Sequence, residues 1–183
     1  MAEFRGFPKI PRLRREILIT EKIDGTNGCV VVDENGDVTA QSRNRAITPA
    51  ADNAGFAKWV EQNKTVLAEG LGAGYHFGEW WGVGIQRGYG LRERRFSLFN
   101  VTRWEDALTM ELIDVGVDTV PALLSGPMSD DTIESALNIL REEGSIAAPG
   151  YMKPEGIVVF HKQSGHLYKV LLENDDMAKG IAA

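Results

Sequence analysis

Ile17-Leu18-Ile19-Thr20-Glu21-Lys22-Ile23-Asp24-Gly25-Thr26-Asn27-Gly28 changes character halfway along. Ile17, Leu18 and Ile19 read as the end of a buried strand, and the polar residues from Glu21 to Asn27 break out of it into a glycine-containing turn. A lysine at such an edge has its stem held by packing and its amine aimed at a cleft, which is the posture of a nucleophile. A free lysine is protonated near pH 7 and inert, so a nucleophilic Lys22 needs cationic neighbours or desolvation to free its lone pair. On these residues alone, a solvated lysine beside an Asp-Gly turn is the commoner reading, and the rest of the chain has to decide.

Downstream, residues 28–33 and 37–42 read as two strands joined through Asp33-Glu34-Asn35-Gly36, where Asn-Gly is a strong hairpin signal. The second strand runs into Gln41-Ser42-Arg43-Asn44-Arg45, placing two guanidiniums just past a strand end. If the strands pair, those cations lie close to Lys22, where they fit phosphate or ribose oxygens and disfavour the charged amine. Thr48-Pro49 predicts the start of a helix reaching about residue 68, with Phe56, Trp59, Val60 and Leu67 on one face as scaffold. Gly70 to Gly74 lacks the spacing of a phosphate loop and reads as a turn.

Tyr75 to Gly82 is an aromatic strand carrying Glu79, a carboxylate that is costly to bury unless an arginine or a sugar hydroxyl meets it. A glycine-rich loop with Arg87 follows, and then residues 95–101 alternate as a strand. That alternation puts Phe96, Leu98 and Asn100 on one face and Ser97, Phe99 and Val101 on the other, one face for the core and one free for a purine. Helices are predicted near 104–112 and from a Ser129 cap to about Glu143, with Gly144 beyond its end. Pro154-Glu155-Gly156 opens an apolar strand, and Gly165 to Leu172 returns from it carrying Lys169.

Composition sets the class. With 183 residues, 43% hydrophobic and 25% charged, the chain reads as one ordinary globular domain over residues 1–183. No run is long enough for a membrane helix and the N-terminus has no apolar leader, so a cytoplasmic setting is expected. Cys29 stands alone and has no internal partner for a disulfide. The net charge is −6, yet residues 105–143 hold ten acids and one base, which leaves the remainder basic. One lobe can therefore meet phosphates while an acidic lobe faces away. The three histidines lack zinc-site spacing, no Ser/His/Asp arrangement stands out, and no internal repeat is present.

Taken in order, Lys22-x-Asp24-Gly25, Ser42-Arg43, Phe77-Gly78-Glu79, Phe96-Ser-Leu-Phe99-Asn-Val, Glu155-Gly156-Ile-Val and Tyr168-Lys169-Val resemble the covalent nucleotidyltransferases. Among those they look most like ATP-dependent RNA ligases. The resemblance covers almost the whole chain, including the Phe7-Pro8-Lys9-Ile10 lead-in. It implies an α+β nucleotidyltransferase fold, with antiparallel sheets flanked by helices and a nucleotide pocket between them. It implies that Lys22 attacks the α-phosphate of ATP to give a lysyl-AMP. The AMP then passes to a 5′-phosphate end of RNA, and a 3′-hydroxyl displaces it to seal the strand. By the same resemblance Glu21, Arg43, Glu79, Phe99 and Lys169 contact the nucleotide. Arg43 and Glu79 would meet the ribose, Phe99 the adenine and Lys169 the α-phosphate. Asn27, Arg45 and Arg87 would meet the nucleic acid, and Glu155 would organise a divalent metal, Mg²⁺ or Mn²⁺.

The sequence departs from that pattern in two places. The last motif usually carries two lysines two residues apart, whereas Leu167 and Leu171 flank Lys169, so either a second cation comes from elsewhere, with Arg45, Lys153 and Lys162 as candidates, or the first step is slow. Asn100 also stands where an aspartate commonly follows the stacking aromatic. The sequence stops soon after the last motif, which implies a catalytic core with no appended barrel or helical domain, gripping nucleic acid through the basic loop 87–95. A minimal DNA ligase acting on DNA or hybrid nicks, and an inactive nucleotide- or RNA-binding module, are the alternative readings.

Overall fold

The computed structural model describes residues 3–173 and 175. The apolar residues of the opening stretch form strand β1 (Glu16–Lys22), in which Ile17 and Ile19 are fully buried and their neighbours face the other way. β1 is one of the two central strands of a four-stranded antiparallel sheet. On one side it pairs with β8 (Ala122–Pro127), on the other with β9 (Gly156–His161), and β9 pairs in turn with β10 (His166–Leu171). Helix α5 (Asp130–Glu143) lays Ala136, Leu137 and Leu140 against Ile17, Ile19, Ile157 and Val159. Each of these leucine, isoleucine and valine side chains taken from water contributes about 1.5–3 kcal/mol. As predicted, Ser129 caps this helix by accepting the Thr132 N–H, and Gly144 ends it at φ 78°.

A second sheet has six strands. β2 (Thr26–Val32) and β3 (Val38–Ser42) form the hairpin expected from Asn35-Gly36, and β4 (Ala46–Ile47) adds to its edge. β5 (Gly74–Gly82) pairs with β2, β6 (Arg94–Leu98) pairs with β5, and β7 (Val117–Thr119) runs parallel to β6. The outer face is covered by α1 (Phe56–Gln62) and α2 (Lys64–Leu71), which close over Val30, Trp80, Phe96 and Leu98. Between the sheets Ile23, Trp81, Tyr89, Val101 and Val120 form a third cluster against Leu18. The antiparallel α+β architecture therefore agrees with the expected fold class.

Three local expectations are corrected. The helix does not begin at Thr48: residues 46–47 turn back as β4, and the Asp52 carboxylate caps α1 by accepting the N–H groups of Ala57 and Lys58. The strand at 95–101 stops at Leu98, because the Asn100 side chain accepts the Arg103 N–H and starts α3 (Val101–Trp104). The acidic stretch also holds more than helices. In place of a helix over 104–112 it holds α4 (Met110–Asp114), and it also supplies β7 and β8, whose half-exposed residues give weak alternation.

Candidate active site

Strand pairing brings the site together from distant segments. Lys22 ends β1 opposite Gly156, so the residue before that glycine, Glu155, arrives beside the amine. Nζ of Lys22 donates to Oε2 of Glu155 at 2.5 Å, in a pair whose side chains are 21% and 8% exposed. Gly156 makes this approach possible. Its φ of 154° and the carbonyl of Val170, which a Cβ would overlap, leave room for no side chain.

Glu79 faces the same turn from the other sheet. It sits in β5 opposite Asn27 of β2, and its Oε2 accepts the Asn27 side-chain amide at 3.0 Å. Its Oε1 accepts the Gly25 N–H at 3.0 Å, a close approach that depends on glycine, since a Cβ there would lie 2.5 Å from the Trp80 carbonyl. Burial pushes the Glu79 carboxyl up to about 7. Lys22 and the Gly25 N–H pull it down, while Glu155 and Asp24 push it further up. Asp24 is held in turn: its N–H donates to the Tyr89 hydroxyl at 2.8 Å, and its Oδ2 accepts Nε of Arg87 at 3.0 Å.

The groups set against Lys22 are thus carboxylates, and of the two arginines expected nearby Arg45 is engaged elsewhere. The turn after β3 closes tightly through the Ser42 N–H to the Arg45 carbonyl, and Arg45 spends its guanidinium on the carbonyls of Ala51 and Asp52. Arg43 lies exposed in that turn. Glu21 points to the opposite face of β1 from Lys22 and is 1% exposed. Its carboxylate accepts the Ser145 hydroxyl at 2.6 Å and the N–H groups of Ile146 and Ala147 at 2.8 and 2.9 Å. Burial raises its pKa against those three bonds. This carboxylate anchors the loop after α5, a role that the sequence reading missed because Ser145 lies 124 residues away.

Lys169 stands opposite Val158, on the β-sheet face that also carries Lys22, one row along. Phe99 follows β6 and is 43% exposed, with its N–H on the Phe77 carbonyl. Phe77, cross-strand to Cys29, is itself 57% exposed, so the pair presents an open aromatic surface beside Glu79. In the basic loop, Arg94 donates to the carbonyls of Val83 and Ala54, and Arg95 pairs with Glu93, which leaves Arg92 without a hydrogen bond among the described residues. Also among the described residues, no three His, Cys, Asp or Glu side chains group as a metal cage. A cation here would rely on Glu155 with phosphate oxygens and water, a donor set that fits Mg²⁺ or Mn²⁺.

A family model described as RNA ligase matches residues 15–171. No curated protein matches the sequence. Among solved structures, a mutant of Naegleria gruberi RNA ligase with ATP and Mn superposes with a TM-score of 0.61 at 22% identity, over 88% of this chain and 51% of that one. An apo mutant of the same ligase gives 0.59 at 22% identity over 87% and 50%. A mutant with AMP and Mn gives the same values. The chain thus spans about half the length of those proteins, and at such identity the likeness shows the fold.

Proposed function

Because the chain belongs to the RNA ligase family, we propose that it is an ATP-dependent RNA ligase that works through a lysyl-AMP. The observation that carries this reading is the Lys22–Glu155 pair, a largely shielded lysine with a carboxylate 2.5 Å away to take its proton. Deprotonated, Nζ attacks the α-phosphorus of ATP. The N–P bond forms as the bond to the bridging oxygen breaks, and pyrophosphate leaves with the negative charge. The AMP then moves to the 5′-phosphate of an RNA end. Attack by a 3′-hydroxyl on that phosphate releases AMP and seals the strand.

The other residues serve that sequence. Glu79, protonated up to about pH 7, can donate to or accept from a ribose hydroxyl. The open rings of Phe99 and Phe77 suit an adenine face, and Lys169 supplies charge on the face that carries Lys22. Asn27 keeps its side-chain oxygen while its nitrogen is held by Glu79. A Mg²⁺ or Mn²⁺ at Glu155 would neutralise phosphate charge when bound. Support for the nucleotide comes from the Naegleria gruberi ligase structures of this fold, which hold ATP or AMP with Mn.

The direct test is joining. The protein is given RNA with 5′-phosphate and 3′-hydroxyl ends, ATP and Mg²⁺, alongside matched DNA and hybrid nicks. Sealed RNA supports the proposal, sealing of DNA alone reassigns the substrate, and ATP binding without covalent label or product marks a binding module.

A further inference from the structure

β10 gives the site face a single cation. Lys169 stands opposite Val158, and the next residue on that face, opposite Gly156, is Leu171. The groups closest to Lys22 are acids, with Glu155 bonded to it and Glu79 and Asp24 nearby. A polyphosphate brings more negative charge than two lysines offset, so further cations must come from other segments.

Two converge at the corner beside Leu171. The Leu172 N–H donates to the Glu155 carbonyl at 3.0 Å, which places the residues just ahead of Glu155 at this corner. There the Lys153 carbonyl accepts Nη1 of Arg87 at 3.1 Å. Arg87 therefore bridges Asp24, in the turn after Lys22, to the approach of Glu155, and its Nη2 makes no hydrogen bond among the described residues. The Lys153 side chain is exposed, and among the described residues its amine has no ion-pair partner. Of the three cations that the sequence offered, Lys162 instead pairs with Glu16 at the far end of β1, and Arg45 is spent on carbonyls.

Arg87 and Lys153 border an open hollow of about 230 Å³ with Leu140, Met152 and Glu173, at the end of α5; Arg141 also borders it, with its guanidinium held by Glu134 and Asn138. We propose that Arg87 and Lys153 form a phosphate subsite at the corner where the turn after Lys22 meets the approach of Glu155, supplying positive charge that β10 does not. The inference rests on the proposed ligase reading. Two groups in that reaction carry the required chemistry: the diphosphate that leaves ATP, and the 5′-phosphate of the strand.

The test uses Lys153→Gln, which breaks no bond in the structure, and Arg87→Gln, checked for folding by circular dichroism. Inorganic pyrophosphate is titrated against thermal stability for each, and the two steps are timed separately: labelling by α-labelled ATP, then discharge of the label onto a 5′-phosphorylated RNA. About tenfold weaker pyrophosphate binding is expected for each variant. A matching rise in the KM for ATP assigns the subsite to the leaving diphosphate. Normal labelling with slow discharge assigns it to the strand end. Variants that match the wild type in the titration and in both steps overturn the subsite. A wild-type protein that never takes label overturns the ligase reading instead, and the pyrophosphate titration still judges the subsite.

Discussion

Nζ of Lys22 and Oε2 of Glu155 stand 2.5 Å apart although their residues are 133 positions apart in the chain. The contact follows from the register of β1 on β9, which sets Lys22 opposite Gly156. The contact holds that amine as one half of an ion pair, and Glu155 has to accept its proton before the nitrogen can attack.

Glu155→Gln keeps the shape and an acceptor while removing the negative charge. We expect lysyl-AMP formation to fall by about 10²-fold or more, the usual weight of a positioned proton acceptor, with the fold retained. Single-turnover labelling with α-labelled ATP measures it. An unchanged rate would show that Glu155 takes no proton from Lys22.

Glu79 makes stability depend on pH. The unfolded carboxyl titrates near 4.5 and the folded one near 7, so the folded state holds an extra proton between those values. Its contribution is full below about pH 4.5 and is lost as pH rises through 7, on the order of 3 kcal/mol for a shift of this size. Glu79→Gln cannot ionise, and its amide nitrogen imposes a pH-independent cost against the Gly25 or Asn27 donor. Urea unfolding from pH 5 to pH 8 should therefore show the variant gaining on the wild type as pH rises. A constant difference between the two would contradict the shift.

Glu21 separates anchoring from nucleotide contact. Glu21→Ala strands the Ser145 hydroxyl and two backbone N–H groups in a buried place, at a cost of about 2–5 kcal/mol. Thermal melts should show that loss, while the folded fraction binds ATP with unchanged affinity. Lost affinity with unchanged stability would return Glu21 to the nucleotide site.

Much of this was legible in the sequence, for physical reasons that act locally. Asn35-Gly36 closes the β2–β3 hairpin with Gly36 at φ 86°, and Ser129 with Gly144 bounds α5, because turn and cap chemistry is written in neighbouring residues. Lys22 at a strand end and Glu79 in an aromatic strand were readable in the same way. The partners of these residues were not. Glu155 reaches Lys22, and Ser145 reaches Glu21, only through tertiary pairing of segments more than a hundred residues apart. The same limit hid what Arg45 does, its guanidinium folding back onto the carbonyls of Ala51 and Asp52. It also hid Arg87, whose pairing with Asp24 and the Lys153 carbonyl has no sequence signature.

The most direct measurement is to incubate the protein with ATP and Mg²⁺, digest it under conditions that spare the phosphoramidate bond, and map the adduct by mass spectrometry. The account predicts AMP on the peptide bearing Lys22, at Lys22 itself, and none on a Lys22→Ala variant that keeps its fold. AMP on another lysine, or label that persists in Lys22→Ala, would contradict it.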